Sequence, residues 1–308
     1  MAAIDLGGGG NYLGRRRKSR ERELDEKIDS KGKKGPMIPS FQNKVAIVTG
    51  AAMGIGEATA LKFSELGAAV ALLDRNEEKG AAVAGSIAAS GGRAKFYSCD
   101  VGSGAQIQRA VEGVAADWGG VDVLASCAGI QRYGDVVATE EALWDEVMTV
   151  NLKSFYLLCR SVIPFLLQRG GGSIVAVGSV QSITALPNSA AYVTSKHGIL
   201  GLVRAVALDY APKKIRVNCV LPGAIDTPML RSSIGMTPDP HAVLDACNRS
   251  HALGRIGKPS EVADAIAYLA SDAASFITGA YLVVDGGMLV PAGGMAFSEG
   301  GTGAGHGS

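Results

Sequence analysis

Residues Lys44–Gly67 read KVAIVTGAAMGIGEATALKFSELG. KVAIVT is a β-branched apolar run that predicts a strand. GEATALKFSELG carries apolar residues at helical spacing and closes on a glycine, which predicts a helix. Between the two lies TGAAMGIG, Thr49–Gly56, with glycines at 50, 54 and 56. Gly50 permits a tight turn. Gly54 and Gly56 let the backbone approach a pyrophosphate and let the helix pack on the sheet, while the free N–H groups of the helix start favour an anion. The spacing is G-x-x-x-G-x-G, neither G-x-G-x-x-G nor a P-loop, which needs a Lys-Ser/Thr pair. Strand, glycine turn and helix in this order predict a dinucleotide site.

The pattern continues outward from this unit. AAVALLD, AKFYSCDV, VDVLASCAG, GSIVAVGS, KIRVNCVLPG and AYLVVDGG read as six further strands, most of them separated by helical stretches. One long helical stretch contains Pro164, where a bend or break is expected. Tyr192–Tyr210 reads as helix, and Ser260 is placed to start another. Near-continuous apolar strands, each followed by a helix, predict an α/β fold: a doubly wound, mostly parallel seven-stranded Rossmann-like sheet with helices on both faces, in one domain over residues 41–290. Ligands of such sheets bind outside the carboxyl ends of the strands.

The flanks differ from this body. Residues 1–40 hold ten Lys/Arg against six Asp/Glu, which leaves twenty against twenty-three in the rest. Too few apolar residues accompany those charges to pack, so a solvated, disordered arm is expected there, and a flexible glycine-rich tail at 291–308. A net charge of +1 gives no reason to expect a nucleic-acid or membrane partner. The five cysteines lack CxxC spacing, which suits reduced thiols in a cytoplasm. No apolar run approaches the length of a membrane span. The four histidines do not cluster, so no metal is expected, and His241 and His251 read as surface residues.

Asp74 ends the second strand, where a carboxylate can accept both ribose hydroxyls of an adenosine and repel a 2′-phosphate; this favours NAD over NADP. Arg75 follows it and would suit a phosphate, but reads as a solvated side chain. Asp100 ends the third strand, either accepting from an adenine amino group or capping the next helix. In AYVTSKHG, Ala191–Gly198, helical spacing puts Tyr192 and Lys196 on one face, one turn apart.

With TGAAMGIG, AYVTSK and VLPGAIDTPM in order, the body resembles the short-chain dehydrogenase/reductase family over residues 41–290. The resemblance implies a tetrad of Asn151, Ser179, Tyr192 and Lys196. It also implies a cofactor site that includes Gly50, Met53, Gly54, Ile55, Gly56, Asp74, Arg75, Asp100, Val101, Ala128, Gly129, Tyr192, Lys196, Pro222, Gly223, Ile225 and Thr227. Where family members commonly carry N-N-A-G, this chain has Ser126-Cys127-Ala128-Gly129, with two side-chain amides lost and a thiol gained.

A tyrosine of ordinary pKa near 10 is a poor base at neutral pH. Moving it towards 7 takes roughly 4 kcal/mol, which Lys196 and a cationic nicotinamide are expected to supply together. Tyr192 would then exchange the alcohol proton, Ser179 would bond the same oxygen, and Asn151 would position a water linking Lys196 to solvent.

Substrate choice is expected from three stretches. Gln131, Gln181 and Ser182, with Arg132, offer polar contacts; Met229 and the lid-like segment Met229–Arg255 offer apolar ones. The expected partners are a small-molecule alcohol or ketone and further copies of the chain in a homotetramer or homodimer. Three other readings stay open: an NADP-dependent 3-oxoacyl-carrier-protein reductase, a dinucleotide-binding regulator with little catalysis, and, least favoured, nucleic-acid association through the basic arm.

Overall fold

The structure is a computed structural model that describes residues 40–290. The charged arm, apart from Ser40, and the glycine-rich tail lie outside the described residues. Seven strands form one sheet: β1 Val45–Thr49, β2 Ala69–Asp74, β3 Arg93–Ser98, β4 Val123–Ser126, β5 Gly172–Val177, β6 Ile215–Pro222 and β7 Tyr281–Val284. Their order is β3-β2-β1-β4-β5-β6-β7, and every pairing is parallel, where sequence predicted only a mostly parallel sheet. The order reverses between β1 and β4, so the crevice for a ligand opens at their carboxyl ends.

The helices are α1 Gly54–Glu65, α2 Glu77–Ala89, α3 Gly104–Trp118, α4 Glu141–Met148, α5 Ser154–Gln168, α6 Ala190–Tyr210, α7 Pro228–Gly235, α8 Pro240–Arg249 and α9 Pro259–Ala270. Strand side chains alternate between two cores. Val45 and Ile47 pack with Ile107 of α3, Leu158 of α5 and Val203 of α6. Ala46 and Val48 pack with Phe63 of α1, Val83 of α2 and Ile266 of α9. Strands buried on both faces have no polar side, which is why they read as continuous apolar runs.

Several sequence expectations need correction. The long helix is interrupted at Thr149–Lys153, a π-helical turn, whereas Pro164 lies within α5. The whole stretch Glu141–Gln168 has 28 residues and a mean hydropathy of 1.3 in its most apolar window, so a helix with the length and apolarity of a membrane span is present after all. Lys153 and Arg160 break the apolar run in sequence. Half of that window is buried, with Phe155, Leu158, Val162 and Leu166 in the core. Helix α9 starts at Pro259, whose missing N–H is harmless there, rather than at Ser260. The segment Met229–Arg255, expected to form a lid, contains most of α7 and all of α8.

Candidate active site

At the start of α1 the turn is as crowded as its glycines imply. Gly50 has φ +64°, and a Cβ there would lie 2.9 Å from Ala128 Cα. A Cβ on Gly56 would collide with the Gly50 carbonyl oxygen. Gly54, at φ +62°, would bring one to 3.3 Å from the Thr227 methyl, so the ends of β1 and β6 meet across the crevice. Met53 is the extended residue before α1. This closely lined backbone, opening at a helix N-terminus, fits a dinucleotide pyrophosphate.

Asp74 is held at the end of β2 by two backbone donors: Ala52 N–H to Oδ2 at 3.0 Å and Asn76 N–H to Oδ1 at 2.9 Å. Arg75 points to solvent. Asp100 accepts Gly102 N–H at 2.9 Å, and the cap of α3 is Ser103, so Asp100 is not the helix cap that its sequence position allowed. Val101 is buried in the core. Where two asparagines are replaced by Ser126 and Cys127, the main chain before Ala128 is held from β1. Buried Thr49 Oγ1 accepts from Cys127 N–H at 3.1 Å and Ala128 N–H at 3.2 Å, tying β1 to the end of β4.

Beyond β4, β5 and β6 lies a cavity of about 520 Å³. Its walls include Ser179, Tyr192 and Lys196, with Gly129, Gln131, Gln181, Pro222, Gly223, Ile225, Thr227 and Met229. Lys196 Nζ sits 5.6 Å from the centre of the Tyr192 ring and donates to the Val177 carbonyl at 2.9 Å. A Cβ on Gly129 would lie 3.4 Å from Asn151 Oδ1 and 3.5 Å from Lys196 Nζ, which places all three groups together.

Asn151 is in the π turn. It accepts Ile130 N–H at 2.8 Å and donates to Ile130 O at 2.9 Å and to Ser195 Oγ at 3.1 Å. The extra residue of a π turn rotates a side chain out of register with a regular helix, and here it turns an amide onto the main chain after β4.

Burial controls the electrostatics. Tyr192 is 8% exposed and its phenol is pushed up to about 12, with the Ser179 hydroxyl opposing the shift. Lys196 is 4% exposed and is pulled down to about 8 by the same desolvation. Burial by the chain's own groups raises the phenol, and the lowering expected from sequence draws on a cationic nicotinamide as well as on Lys196. The Cys127 thiol, also raised by burial, stays protonated near neutrality.

The substrate-contact expectations divide. Gln181 is 6% exposed, lines the cavity, and its Oε1 has no hydrogen-bond partner among the described residues. Ser182 does not reach the cavity; it is buried and its Oγ accepts Ser179 N–H at 3.2 Å. Arg132 is paired with Glu146 at 2.8 Å. Sequence reasoning missed Cys247 and Met288 in the cavity wall, and it put His251 on the surface although only 3% is exposed. No local spacing signals these residues, because each reaches its place from a distant element.

Residues 50–289 match a family model described as enoyl-(acyl carrier protein) reductase. A cyclohexanol dehydrogenase of Acinetobacter sp. is 38% identical over 252 residues, 81% of this chain and 96% of the relative. A 3-oxoacyl-[acyl-carrier-protein] reductase of Thermotoga maritima is 37% identical over 245 residues, 80% of this chain and 97% of the relative. The ligand-free structure of an aldohexose dehydrogenase from Thermoplasma acidophilum aligns with a TM-score of 0.76 at 37% identity, covering 83% of this chain and 97% of that one.

Proposed function

The chain belongs to the short-chain dehydrogenase/reductase family, oxidoreductases of CH–OH groups that use a nicotinamide dinucleotide, and from that premise we propose that it interconverts a secondary alcohol and its ketone with NAD(H). The observation that carries this reading is the meeting of Ser179, Tyr192 and Lys196 at one cavity, on the side of the sheet where the glycine turn opens. The nicotinamide, when bound, takes or gives the hydride. Tyr192 takes or returns the proton at the carbinol oxygen, and Ser179 bonds that same oxygen and offsets its developing charge. Lys196, behind the phenol, carries positive charge at neutral pH and stabilises the phenolate. Asn151 holds the main chain after β4 against the lysine, in the place from which it would order a water for proton exchange.

Gly50, Gly54 and Gly56 would take the pyrophosphate and Asp74 the adenosine ribose. Asp74 is fixed at the end of β2 by two N–H groups, and a carboxylate at that place would repel a 2′-phosphate, which favours NAD over NADP. The unpaired Gln181 oxygen supports a substrate bearing a second hydroxyl, since an unmatched buried acceptor is costly. The apolar wall formed by Met229, Leu230 and Ile234 supports a cyclic carbon frame beside it. An acyl-carrier reductase is the second reading, favoured by the Thermotoga relative and opposed by Asp74. Five free thiols support a reducing cytoplasm, and exposed apolar side chains around β7 support self-association into a dimer or tetramer.

The test is turnover of cyclic alcohols and diols with NAD and with NADP. Tyr192→Phe is expected to lose about 10²–10⁴-fold in kcat while still binding NADH. Parent-like turnover by that variant would refute the assignment.

A further inference from the structure

His251 is a buried imidazole to which the chemistry above gives no role. Both its nitrogens are engaged. Nδ1 lies 2.6 Å from the Cys247 carbonyl oxygen, and Nε2 accepts Ala224 N–H at 3.1 Å. A carbonyl can only accept, so Nδ1 carries the proton; the neutral Nδ1–H tautomer is the one form that makes both bonds. Ala224 lies between Gly223 and Ile225, which line the cavity. The far side of the same turn is pinned by Gly257, whose N–H donates to Ala224 O at 2.9 Å and whose carbonyl accepts Asp226 N–H at 2.9 Å. The turn is pressed directly onto the ring: a Cβ on Gly223 would lie 2.8 Å from His251 Nε2 and 3.0 Å from Asp285 Cα.

We infer that His251 is a positioning residue that fixes the Gly223–Thr227 turn, and with it the resting place of the cofactor's nicotinamide end. The inference rests on the dinucleotide reading above. Three observations combine. Among the described residues, the acceptor is the only side-chain partner of a backbone donor in that turn. The ring fills the space that a glycine leaves at 223. The other nitrogen is tied to the end of α8, whose Val243 and Cys247 form part of the cavity wall. One imidazole therefore joins the substrate-side cover to the cofactor-side turn. The adenosine end, at the Gly50–Gly56 turn and Asp74, is on other elements and meets this turn at Thr227, the end away from the His251-bonded Ala224.

The experiment compares binding of NADH and of ADP-ribose, which lacks the nicotinamide, to the full chain by calorimetry. His251→Asn keeps an amide near Cys247 but is too short to reach Ala224. His251→Leu removes both bonds. His251→Gln restores an acceptor at the Nε2 position. We expect the Asn and Leu variants to bind NADH about tenfold more weakly, the usual consequence of one unpaired buried donor. ADP-ribose affinity should stay within about twofold of the parent, and the Gln variant should regain most NADH affinity. The same pattern in the Asn variant alone suffices if the Leu variant does not fold. Parent-like NADH affinity in the Asn variant, or equal loss of both ligands in a folded variant, overturns the inference. A parent that binds neither ligand overturns the dinucleotide reading and the inference with it.

Discussion

Burying Lys196 works against stability, because an ammonium removed from water is held, among the described residues, with a single carbonyl partner, Val177 O. Its folded pKa of about 8 lies below the ordinary lysine value of 10.5, so between those values the unfolded chain binds the extra proton and stability rises with pH. Below pH 8 the penalty is fully present; above 10.5 it is gone. We expect Lys196→Met to lose turnover and, near neutral pH, to gain stability relative to the parent. That difference should move by about 3 kcal/mol in the parent's favour between pH 8 and pH 10.5, measured by urea unfolding. A difference that stays constant over this range would show that the lysine is not desolvated. Tyr192 acts in the opposite sense: its raised pKa makes the folded state lose stability between pH 10 and about 12. Neither shift can be read from a Y-x-x-x-K spacing, since both arise from how much protein surrounds the pair.

Among elements, the β1–turn–α1 unit was the most legible in sequence, because its glycines answer to backbone conformation and close approach within eight residues. Gly50 and Gly54 do adopt positive φ, and Gly56 has no room for a Cβ. Gly56→Ala is therefore expected to destabilise the fold by about 1–3 kcal/mol and to weaken NADH binding at least tenfold, read by denaturation and titration on the same preparation. Retained affinity would mean that the turn does not carry the pyrophosphate. The α4–α5 stretch was less legible. Its periodicity predicted a helix and its proline a break. The irregularity instead falls at Thr149–Lys153, where Asn151 finds its partners on Ile130 and Ser195. Those partners sit 21 and 44 residues away in sequence, beyond the reach of any local pattern.

At the scale of the molecule, the sheet ends on β7, with Tyr281 and Leu282 exposed and Phe276 nearby fully in solvent. An edge strand with apolar side chains invites a partner. Light scattering should report a dimer or tetramer, and Phe276→Asp with Leu282→Lys should lower that state; a parent monomer at micromolar concentration would end the self-association proposal. By itself the sequence determined the seven strands, their alternation with helices, the glycine turn and the order of the site's motifs. Those features follow from side-chain periodicity and backbone freedom, which act over one or two turns of chain. Only the tertiary structure decided that His251 is inside, that Ser182 serves Ser179 rather than the cavity, that Thr49 ties the end of β4 to β1 and that burial raises the phenol. Each of these depends on which distant segments the sheet order brings together and how completely they exclude water, and neither quantity exists until the chain is packed.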